Sequence, residues 1–304
     1  MTYSGLPHND TINRSCPACG SEIVLGILSE KIDRSLLTEF SYSSRKLPEL
    51  MHLELWKCGQ CGTLYCPQPA SQELLADEYG SAGSDSEEEA FDAAVAYADN
   101  LQKVLDLKDL SILDIGAGDG AFISECQKRG ARKIFGIEPS VAAINSAPAD
   151  LQVFLQLGTL DSTTKFIEKF DLATLFMTIE HVADPNTIFD SLKSSLNVGG
   201  RIAIVCHDRL SFVNRILRTK SPIFDIEHQQ IFTKKGIILL FERMNIEVEY
   251  CNSFKNSYSL RYWIRLLPIP KPIRTVINYA PSLILRRKVS LNVGNIIIVG
   301  RIKS

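Results

Sequence analysis

The sequence predicts a doubly wound α/β fold, with seven strands in a mostly parallel sheet, behind a small cysteine-rich amino-terminal module. Three observations carry this. From Ser111 onward, short β-rich runs alternate with helix-length segments, the pattern of strands joined by crossover helices. A glycine-rich turn follows the first of these strands, and two Cys-x-x-Cys pairs lie upstream of the alternation. The 304 residues, 45% hydrophobic and 22% charged, supply one such domain and a module, and exclude a disordered or fibrous class.

Residues 1–80 read as the module and 81–304 as the main domain. The opening MTYSGLPHND has neither a basic region nor the apolar run of a signal peptide. No apolar run reaches bilayer-crossing length. Cys66, Cys126, Cys206 and Cys251 are scattered singly, which is not the spacing of a secreted disulfide framework, so a reducing cytosol is expected.

The acidic run Ser84 to Glu89 leads into a segment whose apolar residues recur at helical spacing as far as Leu107. Predicted strands follow at Ser111–Ile115, Lys133–Ile137, Gln152–Leu155, Asp171–Met177, Arg201–Val205, Ile246–Tyr250 and Asn295–Val299. Gly199-Gly200 reads as a tight turn out of a helix over Asn186–Leu196. The connection between the last two strands, about 44 residues, exceeds ordinary loop length.

The run Leu113-Asp114-Ile115-Gly116-Ala117-Gly118-Asp119-Gly120-Ala121 follows a strand and opens a helix. That is where a glycine-rich turn lets a nucleotide approach the backbone. Glu138, ending the next strand about 20 residues on, suits ribose hydroxyls. Gly116, Gly118 and Ala121 also fit the dinucleotide fingerprint, so an NAD-dependent oxidoreductase competes. Asp114 favours a cationic, amine-bearing ligand over a pyrophosphate.

LDIGAGDG resembles motif I of class I S-adenosylmethionine-dependent methyltransferases. FDLATLFMTIEHVADP and LNVGGRIAIV resemble their fourth and fifth strands, and the likeness spans roughly Leu105 to Tyr250. The resemblance implies the Rossmann-like methyltransferase fold. It also implies that Asp114 and the Gly116, Ala117, Gly118, Gly120 backbone hold the methionine part of S-adenosylmethionine, and that Glu138 holds the ribose. Asp161, after the third strand, is the nearest candidate for an adenine contact; a solvated loop aspartate is the other reading.

Cys16-Pro17-Ala18-Cys19-Gly20 and Cys58-Gly59-Gln60-Cys61-Gly62 can set four thiolates tetrahedrally around Zn²⁺, leaving no open position, so the metal would be structural. Redox Cys-x-x-Cys chemistry would instead need one pair beside a thioredoxin-like βαβ pattern. The ribbon lacks a basic, aromatic face, so no nucleic-acid partner is expected. Zinc-ribbon methyltransferases in this order resemble sugar C-methyltransferases acting on nucleotide-linked ketosugars, although little chain follows the seventh strand here.

Ligands bind beyond the carboxyl ends of parallel strands, where strand order reverses. His181 follows strand four and His207 follows strand five, with His228 downstream. Methyl transfer needs an aligned acceptor and, where the acceptor carries a proton, a base such as histidine. His181 is the candidate base, with Glu180 as its orienter or a cofactor-side contact. His228, in a segment resembling the H-x-x-x-F-T/S run of many methyltransferases, would position the acceptor. Each histidine has a structural hydrogen-bonding role as its alternative. A nonenzymatic, cofactor-binding adaptor is a further reading of the whole chain.

Every charged residue from Cys251 to Ser304 is Lys or Arg. Tyr258 to Lys288, within a basic insertion over 252–294, interleaves these cations with Tyr262 and Trp263. It reads as a solvated lid, or as a surface for an anionic nucleotide- or lipid-linked acceptor or an anionic membrane. Pro268, Pro270 and Pro272 would divide any helix there.

Overall fold

The computed structural model describes residues 13–36, 50–81, 87–161, 163–164, 166–266 and 282–303. Strands β1 (Val24–Leu28), β2 (Leu55–Cys58) and β3 (Leu64–Tyr65) form an antiparallel ribbon at the amino-terminal end. Helix α1 (Gln72–Ser81) follows, in a stretch whose turn formers gave no helical expectation, then α2 (Glu87–Leu101). The predicted helix to Leu107 therefore stops six residues early. Leu107, fully buried, lies on the loop that reverses the chain into the sheet.

The main domain runs β4 (Ser111–Ile115), α3 (Ala121–Lys128), β5 (Lys133–Glu138), α4 (Val141–Ser146), α5 (Ala149–Gln152), β6 (Leu155–Leu157), β7 (Phe170–Phe176), α6 (Pro185–Ser195) and β8 (Leu196–His207). It continues with α7 (Phe212–Leu217), β9 (Gln230–Ile231), α8 (Lys234–Arg243), β10 (Ile246–Ser259), α9 (Leu260–Leu266), α10 (Ser282–Leu285) and β11 (Lys288–Ile302). Local chemistry sets several boundaries. Asp184 accepts from the Asn186 N–H ahead of Pro185 to start α6, and Thr233 accepts from Gly236 N–H to start α8.

The seven-stranded sheet has the order β10-β11-β8-β7-β4-β5-β6, parallel from β8 to β6, with β11 antiparallel to both of its neighbours. Strand β4 is buried along its length, as a central strand covered on both faces must be. Order reverses across β4, between β5 and β7, and that opens the crevice where such sheets hold ligands.

Three strand expectations are corrected. The third strand is β6, not Gln152–Leu155, because Pro148 starts the short α5 through Gln152 and pairing to β5 begins only at the Phe154 carbonyl. Gly199-Gly200 is no turn between helix and strand. It lies in a bulge inside β8, where Phe170 pairs with Leu196 but Leu172 with Arg201. Strands β10 and β11 run far beyond their predicted spans, pairing from Ile246↔Ile302 to Ser259↔Lys288. Much of the supposed 252–294 loop is thus a β arm. Asn295 pairs with His207, the last residue of β8, so residues 288–294 rise past the carboxyl rim.

Tyr258, Tyr262 and Trp263 are buried with Ala93 of α2, and the Trp263 Nε1–H donates to the Val289 carbonyl at 2.8 Å. These aromatics hold the arm to the domain and are turned away from solvent, which removes them as membrane-facing groups. Arg261, Arg286 and Arg287 are exposed, while Lys288 pairs with buried Asp92 at 2.6 Å. The expected positions of Pro268, Pro270, Pro272, Lys271 and Arg274 lie outside the described residues. Among the described residues no helix is long and apolar enough to cross a membrane.

Candidate active site

The turn between β4 and α3 places Gly116, Gly118 and Gly120 at φ of 75°, 57° and 77°, the left-handed region that favours glycine. At Gly116 a Cβ would sit 2.5 Å from Thr178 Oγ1, so the position admits no side chain. At Gly118 no described residue lies within 4 Å of that point, which leaves room for a ligand beside the turn. The N–H groups of Gly116 and Ala117 donate to the Ile137 carbonyl, tying the turn to β5.

Two buried carboxylates support the turn. Glu138 accepts from Gly118 N–H and from Ser140 N–H, both at 2.8 Å. Asp114 accepts from the Thr174 hydroxyl of β7 at 2.6 Å. Burial raises both, Asp114 to about 7. A carboxylate has about four acceptor sites, so Glu138 can hold the turn and still accept from a ribose. Asp161 borders the same crevice, but its Oδ1 is engaged by the N–H and hydroxyl groups of Thr163 and Thr164.

A cavity of about 530 Å³ joins this turn to the predicted histidine region; Gly116, Pro139 and Asp161 line one side, Tyr79, Thr178 and His181 the other. His181 Nδ1 lies 2.9 Å from the Tyr79 hydroxyl of α1 and 3.5 Å from Glu227 Oε2. Rings of His181 and His228 are 4.8 Å apart, and those of His228 and His207 5.4 Å apart. The three histidines are therefore contiguous. His228 Nδ1–H donates to the Ile223 carbonyl at 2.8 Å, since a carbonyl can only accept. Burial pushes His207 down to about 3, so it is neutral at physiological pH.

Glu180 does not orient His181. Its Oε1 accepts from the His207 backbone N–H and its Oε2 is buried without a partner among the described residues, which accompanies a rise to about 7 through burial. The neighbours of His181 are instead Tyr79 and Glu227, neither marked by a motif. Glu227 adjoins His228 in the sequence, whereas Tyr79 lies in the stretch that the turn formers assign to the amino-terminal module.

A family model described as a methyltransferase domain matches residues 89–250. The chain belongs to this methyltransferase-domain family. It is 30% identical over 108 residues to a tRNA U34 carboxymethyltransferase of Campylobacter hominis, covering 34% of this chain and 38% of that protein. A mitochondrial ubiquinone biosynthesis O-methyltransferase of Dictyostelium discoideum is 29% identical over 195 residues, 51% of this chain and 60% of its own. The chain thus spans less than two thirds of these relatives. A solved S-adenosylmethionine-dependent methyltransferase of Thermotoga maritima superposes with a TM-score of 0.46 at 20% identity, covering 70% of this chain and 91% of its own.

Beside the methyltransferase domain, the sulfurs of Cys16, Cys19, Cys58 and Cys61 lie within 4.8 Å of one another, with Cys16–Cys61 at 3.7 Å and Cys19–Cys58 at 3.5 Å. Four sulfurs about 2.3 Å from a tetrahedral zinc would be about 3.8 Å apart, so the set fits that ion. The ribbon is built into the domain. Strand β9 pairs with β3, and Thr233, Lys235 and Arg243 of the domain donate to the carbonyls of Cys61, Gln60 and Pro17. In return Arg14 donates to the carbonyls of Ala183 and Gln229. Gln230 Nε2–H groups reach the carbonyls of Ile179 and Val182. The turn carrying His181 is thereby held from both sides.

Proposed function

We propose that this protein transfers a methyl group from S-adenosylmethionine to a small-molecule or glycan-type acceptor of anionic character, such as a nucleotide- or lipid-linked sugar. The observation that carries the reading is the single cavity that has the glycine turn on one wall and the Tyr79–His181 pair on the other. The family match supports this chemistry and leaves the oxidoreductase reading without a supporting observation. The acceptor class rests on the exposed Arg261, Arg286 and Arg287 of the arm beyond the carboxyl rim; the two relatives bear names with different acceptors.

S-adenosylmethionine, when bound, supplies a methyl group on a positively charged sulfur, which leaves with the bonding pair. In this reading Asp114 and the Gly116–Gly120 backbone receive its amino-acid part, and Glu138 its ribose. His181 takes the acceptor proton, and Glu227 and the Tyr79 oxygen stabilise the resulting imidazolium. His228, expected to position the acceptor, does not line the cavity; buried against His181, it limits the rotation of that ring instead. Cys16, Cys19, Cys58 and Cys61 would hold one structural zinc.

Calorimetry with S-adenosylhomocysteine tests the cofactor half. Asp114→Ala or Glu138→Ala should weaken binding on the order of 10- to 100-fold, since hydrogen bonds to charged groups contribute about 1.5–3 kcal/mol. Transfer from labelled S-adenosylmethionine to a panel of nucleotide- and lipid-linked sugars tests the rest. His181→Ala should lower turnover on the order of 10²–10⁴-fold with cofactor affinity kept. Wild-type protein that binds no S-adenosylhomocysteine would overturn the proposal.

A further inference from the structure

The segment from Leu210 to Lys220, just past the end of β8, inverts the usual arrangement of a surface helix. Phe212 is 79% exposed, Ile216 62% and the preceding Leu210 49%. Phe212, Arg215 and Ile216 fall at i, i+3 and i+4, on one face of α7. The inward face carries Asn214, which is 4% exposed; its amide donates to the Asp208 carbonyl and its Oδ1 accepts from buried Ser221, both at 2.7 Å. A polar residue is thus bonded inside while the large apolar ones are held out. Asp208 N–H also donates to the Gly294 carbonyl of β11 at 2.7 Å, which fixes the segment against the base of the arm.

Charge identifies what this face meets. Arg215, Arg218 and Lys220 are exposed, and no acidic residue occurs between Asp208 and Asp225. Protruding apolar side chains ringed by cations match a bilayer surface rich in anionic lipid, where hydrocarbon enters the interface and each cation near the headgroups adds attraction. A stable protein partner would need roughly 20–30 residues on each side, far more than this short segment offers.

We propose that the Leu210–Lys220 segment docks the protein on an anionic membrane surface, with Phe212 and Ile216 entering the interface beside the acceptor rim. This deepens the reading of a lipid-linked acceptor, but vesicle binding is measured without turnover, so the two can fail separately. The probe is co-sedimentation with vesicles of phosphatidylcholine alone or containing phosphatidylglycerol, at low and high salt. Wild type should bind only the anionic vesicles, more weakly at high salt. Phe212→Ser with Ile216→Ser should weaken that binding on the order of 10- to 100-fold. Arg215→Glu with Arg218→Glu and Lys220→Glu should weaken it on the order of 100-fold. Unchanged S-adenosylhomocysteine affinity would show that the variants are folded. No binding of the wild type to anionic vesicles, or binding by both variants as tight as that of the wild type, would overturn the proposal. So would light scattering that shows a dimer broken by Phe212→Ser with Ile216→Ser and no vesicle binding, because the face would then belong to a second copy.

Discussion

The two walls of the cavity are assembled differently. The cofactor wall comes from one contiguous stretch, Ser111 to Asp161, in which a strand, a glycine turn and a carboxylate follow at short spacing. The opposite wall presents Tyr79 of α1 and His181 of the turn after β7, and Glu227 and His228 from the segment before β9 back His181 from behind that wall. It is held by Arg14, which comes from the amino-terminal ribbon. Local geometry builds the first wall; long-range packing builds the second. Damage to distant elements should therefore separate cofactor binding from turnover.

The largest separation is expected from the ribbon. Cys58→Ser should drop zinc from about one equivalent to almost none, because a structural site needs all four thiolates. Structural zinc contributes about 10–16 kcal/mol in isolated zinc-finger peptides, so the ribbon should lose its fold and release Arg14. Turnover should then fall on the order of 100-fold or more, with S-adenosylhomocysteine affinity changed less than about tenfold, as among the described residues no ribbon side chain bonds to the glycine turn. Metal analysis and calorimetry on one preparation check both. Equal losses would show that the two walls form one cooperative unit.

How legible each wall was in the sequence follows from the same difference. The glycine turn, with Asp114 and Glu138 beside it, is legible as a local structure because its parts are near in sequence, and the clustering of the four cysteines because their spacing is a local signal. Tyr79 could not, since nothing in QELLADEYGS shows that α1 lies over the cavity. Adjacency in sequence misleads at Glu180 for a geometric reason. It and His181 are adjacent in a turn and point apart, so its carboxyl reaches back to the His207 N–H. The arm has the sequence of a loop because few of its residues are apolar enough to mark strand, and their pairing partners lie across the connection.

Two of the buried glutamates, Glu138 and Glu180, give the next contrast. Glu138 has both carboxylate oxygens bonded, whereas Glu180 has one oxygen without a partner among the described residues. Burial raises Glu180 from the usual 4.5 to about 7, so the folded state favours its neutral form. Its contribution to stability is therefore complete below about pH 4.5 and is lost as pH rises to about 7. Glu180→Gln removes this dependence and keeps an acceptor for the His207 N–H. Relative to wild type, the variant should gain stability between those limits, to about 3 kcal/mol at pH 8. Urea midpoints at pH 5 and pH 8 measure the change. A pH-independent difference would mean that Glu180 titrates normally and that the acceptor wall carries no such cost.

The smallest effect, and the most selective, concerns Tyr79. Its hydroxyl lies 2.9 Å from His181 Nδ1 while its ring lines the cavity, so Tyr79→Phe removes the polar contact and leaves the wall in place. A hydrogen bond of this kind contributes about 0.5–1.5 kcal/mol, so kcat should fall up to about tenfold. His181 keeps Glu227 at 3.5 Å, which is why the loss should be far smaller than for His181→Ala. If Tyr79 positions the imidazole, the effect falls on kcat, with KM for S-adenosylmethionine and the affinity for S-adenosylhomocysteine unchanged. If the loss appeared in cofactor affinity with kcat intact, α1 would be a cover over the cofactor. Tyr79 would then belong with the cofactor wall, and the division between a locally built wall and a long-range one would move to His181 itself.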